Sequence, residues 1–265
     1  MIKAMDSPAP APAPDPAPDA NLAPPPLPPP RNIRLITLPS HDCNYLPGRQ
    51  ARSRAFMAQR LDPSLYHQLM DAGFRRSGQL IYQPICPTCR ACVPLRVRTD
   101  LFTRSKSQRR IWRRNQDLIV QVAAPLPTDE KLAVYQRYLA LRHDEAQGAD
   151  ADSFLDFLYA SPLDTLEFTY RDRAGTLVGV GICDICPQSL SSVYFFFDPA
   201  AAKRSLGTFA ALWEITFARE RSIPYYYLGY WIAGCGTMDY KAQFRPNELL
   251  GPDGVWRENE AVSKT

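Results

Sequence analysis

Four cysteines stand close together in the first half of this chain of 265 residues. Cys43 lies in the segment HDCNYLPGR, and Cys86, Cys89 and Cys92 follow one another at two-residue gaps in ICPTCRACVPL. Cys-x-x-Cys spacing brings soft thiolates together, and four of them suit tetrahedral zinc or an iron–sulfur cluster. The pattern therefore predicts a structural metal or cluster on these four residues. Two alternatives stay open, namely buried free thiols and a redox-sensitive disulfide pair.

The other three cysteines, Cys183, Cys186 and Cys235, fall on or beside predicted strands, and we expect them in the core. Seven unevenly placed cysteines do not indicate the disulfide framework of a secreted protein. The N-terminus carries acidic residues and alternating Ala-Pro where a secretory signal has an apolar segment. No apolar stretch approaches the roughly 20 residues that a membrane span requires. We therefore predict a cytoplasmic protein with reduced thiols and no membrane partner.

Basic residues are concentrated in the first half of the chain. Residues 31–114 carry 17 Arg or Lys against four Asp, a net charge of +13, whereas residues 115–265 have a net charge of −7. Arginine, whose planar guanidinium fits phosphate, supplies most of the basic set. This asymmetry predicts a polyanionic partner for the first half, and we favour nucleic acid over a merely solvated basic face.

Composition and turn signals divide the chain into three parts. Residues 1–30 contain twelve prolines and seven alanines, so they cannot bury enough apolar surface to become ordered, and we predict a disordered Ala/Pro-rich tail. Residues 31–124 are predicted to form a basic N-terminal domain that carries the cysteine cluster. Residues 125–265 are predicted to form a second domain.

Helix signals in the basic domain are clear. Asp62 is the expected N-cap of a helix, Pro63 occupies its first turn, and Gly73 ends it. The segment SKSQRRIWRRNQ predicts a second, short and strongly basic helix. These two helices and the intervening strands, QLIYQP and VPLRVRT, indicate an α/β domain.

The second domain has an order of elements typical of acetyltransferase-like (GNAT) cores. An antiparallel meander is predicted by DTLEFTYRD, TLVGVGICDIC and SLSSVYFFFDP, followed by a long helix and the strand PYYYLGYWI. In such cores the N-terminus of the helix presents free N–H groups and its positive dipole end to a phosphate-bearing donor. Arg204 and Gly207 lie at that turn, although a turn with only a capping role is the alternative.

The predicted fold class is therefore α+β. It combines a cysteine-containing N-terminal α/β domain with a GNAT-like acyltransferase domain, whose mixed sheet is largely antiparallel. Covalent catalysis is not indicated, because His41, His67 and His143 show no Cys–His or Ser–His–Asp arrangement along the chain. Direct attack of an amine on an activated acyl donor agrees better with this sequence.

Four long segments carry a resemblance to a known family. They are, in chain order, CNYLPGRQARSRAF, YHQLMDAGFRRSGQLIYQPICPTCRACVPLRV, SKSQRRIWRRNQDL and YYYLGYWIAGCGTMDYKAQFRPNELLGPDGVW. In these segments the chain resembles the bacterial leucyl-tRNA–protein transferases, or aspartate/glutamate leucyltransferases, within the arginyl-tRNA–protein transferase family. The resemblance covers about residues 33–257 and leaves out the Ala/Pro-rich tail.

The resemblance implies transfer of leucine from leucyl-tRNA to the α-amine of proteins that begin with Asp or Glu. Such a leucine marks a protein for the N-degron route of degradation. Eukaryotic relatives have a related set of cysteines that includes an adjacent pair, reported to bind a metal or cluster. Cys86, Cys89 and Cys92 depart from that pattern, so the resemblance decides neither whether these cysteines hold a metal nor whether it is zinc or an iron–sulfur cluster.

A tRNA donor accounts for the basic half, because Lys and Arg neutralise phosphates and displace counterions. We expect contacts to the tRNA backbone from the basic helix, Trp112 included, and from the turn before the long helix. The alternative for Trp112 is that it anchors the basic helix in the core. The tRNA-binding candidates are Lys106, Arg109, Arg110, Arg113, Arg114, Arg204 and Gly207.

The acceptor must present a free amine and an acidic first side chain. Recognition of a carboxylate in a partly dry site calls for an arginine fork. Within the motif-rich first half, the acceptor-binding candidates are Arg49, Arg75, Arg76 and Arg96.

The implied chemistry is aminolysis of an ester, which requires a neutral amine, a stabilised oxyanion and removal of a proton. Asp239 is the first candidate to take the proton, and a structural pair between Asp239 and Lys241 is the alternative. Tyr230 and Asp198 complete the catalytic candidates. Because the tRNA ester is already activated, no ATP, cofactor or catalytic metal is required.

Other functions stay open at the level of the sequence. Related transferases use arginyl-tRNA on the same acceptors, and the chain shows no identifiable side-chain pocket that decides between the two amino acids. An acyl-CoA-dependent N-acetyltransferase on the same fold would not need the basic half. A non-enzymatic RNA-binding or redox-sensing protein would need only the cysteines and the basic surface.

Overall fold

The computed structural model describes residues 33–142 and 150–260. The described residues from Arg34 onwards cluster as one compact unit. The prediction of a disordered tail over residues 1–30 falls outside the described residues. Within the described ranges, no helix is both long enough and apolar enough to cross a bilayer.

The elements of the described ranges follow one another in the predicted order. The α-helices are α1 (Pro63–Asp71), α2 (Lys106–Arg114), α3 (Asp129–Arg142), α4 (Ala151–Phe154) and α5 (Leu206–Glu220). Short 3-10 helices span Pro199–Arg204 and Asp239–Gln243, and one π-turn spans Leu155–Tyr159. The strands are β1 (Ile36–Thr37), β2 (His41–Asp42), β3 (Gln50–Ala51), β4 (Ser53–Met57), β5 (Arg75–Ser77), β6 (Leu80–Pro84), β7 (Val93–Arg98), β8 (Ile119–Ala123), β9 (Thr165–Arg171), β10 (Leu177–Cys186), β11 (Ser189–Phe197), β12 (Tyr225–Trp231), β13 (Asn247–Leu250) and β14 (Trp256–Glu258).

An eight-stranded sheet forms the centre of the fold, in the order β14-β13-β7-β12-β11-β10-β9-β8. All its neighbours are antiparallel except β11 and β12, which run parallel. The predicted α+β class with a mixed, largely antiparallel sheet is therefore confirmed. β7 and β8 come from the predicted N-terminal domain, so this sheet draws strands from both sides of the predicted boundary at residue 124.

A four-stranded sheet, β1-β4-β6-β5, accompanies α1. The apolar cluster around α1 includes Met70 from the helix, Ile81 from β6 and Tyr227 from β12, all fully buried. This shared cluster fixes the small sheet and α1 against the large sheet. Residues of the first half are thereby held beside strands of the second half.

Helices cover both faces of the large sheet. α5 packs with one apolar cluster and α3 with α4 in another. Phe195 packs against the α5 cluster and its neighbour Phe196 belongs to the α3 cluster, as expected when successive side chains of a strand point to opposite faces. Cys183 and Cys186 are buried, which confirms the core position predicted for them.

The caps of α1 agree with the local sequence signals. The Asp62 side chain accepts a hydrogen bond from the Leu65 N–H, and Pro63 occupies the first turn. Gly73 follows the helix with φ of 86°, and a Cβ there would lie 3.2 Å from Leu250 and 3.3 Å from Pro94. Only glycine combines this backbone angle with so close an approach. This turn sets the direction in which β5 leaves the end of α1.

Candidate active site

A cavity of about 820 Å³ opens where β11 and β12 diverge. The two parallel strands pair only over Ser189–Ser191 and Tyr225–Tyr227, although each continues for several residues beyond. Gly229, with φ of 80°, lies at a register shift of β12, where a bulge bends the strand. Both diverging strands and the N-terminal half of α5 line the cavity.

The N-terminus of α5 lies at the cavity wall. Ser205 adopts a left-handed backbone conformation before the helix, and no side chain caps the helix start. Leu206, Gly207 and Thr208 line the cavity, so the uncapped N–H groups of this first turn and the positive helix end lie beside it. A Cβ on Gly207 would meet only Phe195, at 3.9 Å. The fold itself therefore leaves room for a side chain at this position.

Arg204 does not present a free guanidinium at this turn. It makes two hydrogen bonds to the Asp117 carboxylate, at 3.0 and 2.7 Å. This ion pair holds the turn against the end of α2. Arg204 can therefore bind a phosphate only if the phosphate replaces the Asp117 carboxylate.

The cations of α2 are all exposed and continue towards that turn. Trp112 packs on Phe209 of α5 with ring centroids 5.4 Å apart, which agrees with the alternative of an anchor and not with a contact to the tRNA backbone. Arg114 donates to the Lys203 carbonyl oxygen at 2.8 Å, so the end of α2 adjoins the turn before α5. No carboxylate of the described residues forms an ion pair with a cation of α2. The exposed set is Lys106, Arg109, Arg110, Arg113 and Arg114.

Two of the four acceptor-binding candidates are engaged in internal ion pairs. Arg76 binds both carboxylate oxygens of Asp184, at 2.6 and 2.8 Å, and both side chains are fully buried. Arg96 makes 2.6 Å contacts with Asp71 and Glu248 and stacks between two aromatic rings. Both residues therefore fix the packing of the sheets.

Arg75 differs from these residues. It is only 5% exposed, lines the cavity, and donates through Nη1 to the carbonyl oxygens of Met70 and Phe74. Its Nε and Nη2 atoms have no hydrogen-bond partner among the described residues, and the same holds for the hydroxyl of Tyr66 in the cavity wall. Arg49 is exposed and does not line the cavity. Of the four candidates, Arg75 is therefore the one whose buried guanidinium has nitrogen atoms without a hydrogen-bond partner among the described residues.

Lys241 and Tyr230 lie together in the cavity wall. The Lys241 ammonium donates to the Tyr230 carbonyl oxygen at 3.0 Å, and the Tyr230 hydroxyl donates to the Gly73 carbonyl oxygen at 2.9 Å. Burial, and next the positive charge of Arg75, lower the pKa of Lys241 to about 7. A neutral amine is thus accessible at this position near neutral pH.

The other two catalytic candidates do not line the cavity. Asp239 is exposed and accepts from the Trp231 indole N–H at 3.2 Å, so the alternative of an Asp239–Lys241 pair is wrong. Asp198 caps a 3-10 helix and pairs with Arg137 at 2.6 Å. Both carboxylates hold surface elements in place. Local spacing along the sequence could not distinguish these positions from cavity positions.

Glu214 is a cavity residue that the sequence did not single out. It is 1% exposed, its Oε2 accepts from the Tyr226 hydroxyl at 2.5 Å, and its Oε1 has no hydrogen-bond partner among the described residues. Burial raises the pKa of Glu214 to about 7, while Tyr226, Cys183 and Ser192 favour the ionised form. The available signal was a glutamate in the apolar middle of the helix LGTFAALWEITFARE, whose second glutamate is its last residue.

Ser189, His67 and Asp71 form a relay that was not expected from their spacing. His67 Nδ1 lies 3.0 Å from the Ser189 hydroxyl, and His67 Nε2 lies 3.6 Å from Asp71. Ser189 is fully buried and does not line the cavity, so its hydroxyl is not placed as a nucleophile. Burial lowers the pKa of His67. The relay joins α1 to β11 and has a structural role.

The four predicted metal ligands are gathered in one region, with Cys235 beside them. Burial, and then the neighbouring cysteines, raise the pKa of Cys92 to about 12. The Cys86 thiol donates to the Arg52 carbonyl oxygen at 3.7 Å. Thiols are the right donors for zinc or a cluster, but no three His, Cys, Asp or Glu side chains of the described residues converge as metal ligands. The donor set fits a metal in kind.

A cleft beside the uncapped start of α5 therefore adjoins a basic helix in this fold, within the GNAT-like order of elements that is typical of acyltransferases. Residues 41–110 match the family model for the N terminus of arginine-tRNA-protein transferase, and residues 130–251 match the model for its C terminus. The chain belongs to this family of aminoacyl-tRNA–protein transferases.

Relatives are similar over most of the chain. An aspartate/glutamate leucyltransferase of Hahella chejuensis is 39% identical over 84% of this chain and 96% of its own length. One from Pseudomonas putida strain W619 is 42% identical over 82% of this chain and 94% of its own length. These names agree with the family that the sequence resembles.

Similarity to solved structures is remote. L-PGS from Bacillus licheniformis gives a TM-score of 0.43 with 17% identity, covering 68% of this chain and 53% of that one. A tandem GNAT protein from the clavulanic acid biosynthesis pathway gives 0.35 with 11% identity, covering 66% and 54%. The order of β9, β10, β11, α5 and β12 reproduces the GNAT-like arrangement expected from the sequence.

Proposed function

We propose that this protein transfers leucine from leucyl-tRNA to the α-amine of proteins that begin with Asp or Glu. Its product is then a leucine-tagged protein destined for degradation, made in the cytoplasm where charged tRNA is found. The names of the relatives support leucine as the amino acid and Asp or Glu as the acceptor residue. Arginyl-tRNA and acyl-CoA are the competing donors.

The observation that carries this proposal is the free part of the Arg75 guanidinium in the cavity wall. Nε and Nη2 are buried without a partner, and a buried donor of this kind costs free energy unless a ligand completes it. The carboxylate of an N-terminal Asp or Glu accepts two parallel hydrogen bonds from such a fork. Tyr66, whose hydroxyl is also unpaired, supplies a further donor in the same wall.

The donor is accommodated by the basic surface of α2 and the start of α5. Exposed cations on α2 contact phosphates without first breaking an internal ion pair, and their affinity for tRNA falls with salt. The 3′-terminal nucleotide enters the cleft beside Gly207, where the N–H groups of the first turn of α5 bind its phosphate. Because Gly207 has no side chain and open space beside it, the tRNA 3′ end can approach the backbone of α5 closely there.

Lys241 is assigned the proton-transfer role that the sequence gave first to Asp239. Lys241 lines the cavity near Arg75, whose charge lowers its pKa. Neutral Lys241 takes a proton from the acceptor ammonium, and the freed nitrogen attacks the ester carbonyl carbon. A C–N bond forms, the ester C–O bond breaks, and the 3′ oxygen leaves with a proton as the tRNA hydroxyl. The step needs positioning and no external energy source.

The cysteine cluster is assigned a structural role. Cys43, Cys86, Cys89 and Cys92 have the chemistry to hold zinc or a cluster, which would cross-link the loop after β6 to the segment before β3. No step of the transfer passes through this group.

A direct assay tests the proposal. Purified protein is incubated with leucyl-tRNA or arginyl-tRNA and with peptides that begin with Asp, Glu or Lys. Leucine added to the Asp and Glu peptides alone is the expected result. Transfer of arginine identifies the alternative donor, and consumption of acetyl-CoA in a parallel reaction identifies an acetyltransferase. Either outcome overturns the proposal.

A further inference from the structure

The cavity wall contains buried hydrogen-bond donors in one place and a buried acceptor in another. Arg75 and Tyr66 offer unpaired donors, whereas Glu214 offers an unpaired acceptor. Lys241 lies with the first group, because its pKa responds to the charge of Arg75. The acceptor peptide, with its carboxylate on Arg75 and its amine near Lys241, leaves Glu214 without a partner.

Glu214 is held firmly in the cavity wall. Tyr226 donates to its Oε2 at 2.5 Å, and Cys183 and Ser192 lie near enough to favour the ionised carboxyl. Oε1 accepts no hydrogen bond from the described residues. Gly181 makes room for it, because a Cβ at that position would lie only 2.8 Å from Oε1. An unpaired carboxyl in this position destabilises the folded protein. The cost is explained if a cationic ligand completes the carboxyl during turnover.

The position of Glu214 along α5 indicates that its ligand is the aminoacyl-tRNA, which is the donor substrate. Glu214 is on α5, eight positions after Leu206, which places it about 12 Å along the helix axis from the uncapped start. Helical side chains tilt towards the helix N-terminus, so the Glu214 carboxyl lies nearer the start than its Cα does. The path from a terminal phosphate through the ribose and ester to the α-nitrogen, with a hydrogen bond at each end, is of matching length. The two side chains bind different groups, because Lys241 donates to the Tyr230 carbonyl oxygen and Glu214 accepts from the Tyr226 hydroxyl. They are assigned to different reactants.

We propose that Glu214 binds the α-ammonium group of the aminoacyl ester, so that the enzyme selects a donor with a free α-amine. This inference rests on the proposed function and adds a specificity residue to it. Oε1 accepts a hydrogen bond from the ammonium, while Oε2 keeps its bond to Tyr226. Acyl donors without an amine leave the carboxyl unpaired and are disfavoured.

The test compares two donors that differ at one atom. Leucyl-tRNA is used beside 2-hydroxy-4-methylpentanoyl-tRNA, in which a hydroxyl replaces the α-amine. Wild-type protein is expected to prefer leucyl-tRNA by at least about tenfold in kcat/KM, because the hydroxyl cannot supply the charge. In Glu214→Gln, which keeps size and the bond to Tyr226, the preference falls to about one-fifth of the wild-type value or less. Comparing ratios removes the intrinsic difference in reactivity between the two esters.

Glu220→Gln is the matched control, because Glu220 is exposed on the last turn of the same helix. It should keep the wild-type ratio. Equal losses for both donors in Glu214→Gln, or a wild-type protein without donor preference, overturn the inference while leaving the proposed function intact. Wild-type protein that transfers nothing from leucyl-tRNA overturns both. If Glu214→Gln does not fold, Gly181→Ala takes its place, because the added Cβ would lie 2.8 Å from Oε1 and displace it. The preference for leucyl-tRNA should fall in that variant, and an unchanged preference overturns the inference.

Discussion

Arg75 and Arg76 are neighbours on one strand and have opposite surroundings. Arg76 is paired with Asp184 through two hydrogen bonds, whereas Arg75 reaches the cavity with Nε and Nη2 unpaired. Both arginines line the cavity, so the difference between them lies in their hydrogen-bond partners and not in the face of the strand that carries them. This difference separates a residue that maintains the fold from one that is free to bind a ligand.

Arg75→Gln should weaken acceptor recognition selectively. We expect kcat/KM for a peptide that begins with Asp to fall about 10- to 100-fold, the usual range for loss of a charged hydrogen bond. A peptide that begins with Asn should lose much less, so the Asp-to-Asn preference shrinks. Steady-state kinetics on both peptides provide the measurement. Arg49→Gln is the control, since Arg49 is exposed outside the cavity; an equal loss on both peptides would contradict the assignment.

Arg76→Met should unfold the protein more easily. The substitution leaves the Asp184 carboxylate buried without its cation, which costs about 3–5 kcal/mol in the free energy of unfolding. Urea denaturation followed by circular dichroism measures the loss. The double variant Arg76→Met, Asp184→Leu should recover much of it. Arg98→Met, which breaks an exposed pair with Asp100, should cost under about 1 kcal/mol. Similar losses for Arg76→Met and Arg98→Met would refute the structural role.

Lys241→Met should stabilise the fold and abolish efficient transfer. The folded-state pKa of Lys241, about 7, lies below its ordinary value of 10.5. Between these values the unfolded chain binds more protons, so wild-type stability rises with pH in that window. The variant should lose that rise and gain about 1–3 kcal/mol at pH 8.

Transfer by Lys241→Met should be about 10²-fold slower than wild type, the usual scale of general-base catalysis. Wild-type activity should increase as pH rises through about 7, because Lys241 must be neutral to accept a proton. The variant should retain only the titration of the acceptor amine, near 8. An unchanged pH profile in Lys241→Met rules out its catalytic role.

The cations of α2 should account for much of the salt dependence of tRNA binding. Each of Arg110→Gln and Arg113→Gln should lower the slope of log K against log salt by about 0.7–0.9. Arg257→Gln, an exposed arginine paired with Asp253, is the control and should leave the slope unchanged. Filter binding over a salt series gives these slopes. Identical slopes in all three variants and the wild type would place the tRNA elsewhere.

The cysteine cluster should bind one structural metal or cluster per chain. Elemental analysis of protein purified without chelators should find zinc or iron, and Cys92→Ser should lower its content and the melting temperature. Cys183→Ser removes a buried thiol outside the cluster and should keep the metal content. Seven free thiols in metal-free, fully active protein would show that these cysteines are core residues.

Local signals were sufficient for the elements themselves. The caps of α1, the basic helix α2 and the order from β9 to β12 follow from periodicity and turn residues, which act over a few positions. The site could be predicted only in part. Lys241, Tyr230, Gly207 and Arg75 were named from their segments and do line the cavity, whereas Asp239 and Asp198 were named on the same grounds and lie outside it.

The sequence by itself determined the family, the fold class and the basic half, because these depend on composition, periodicity and long motifs. Only the tertiary structure decided which arginine keeps unpaired donors and that Glu214 faces the cleft. The physical reason is distance along the chain. Arg76 meets its carboxylate 108 positions away, and Glu214 meets Tyr226 across the gap between a helix and a strand. Pairings of that kind are set by how elements pack, and no local pattern carries them.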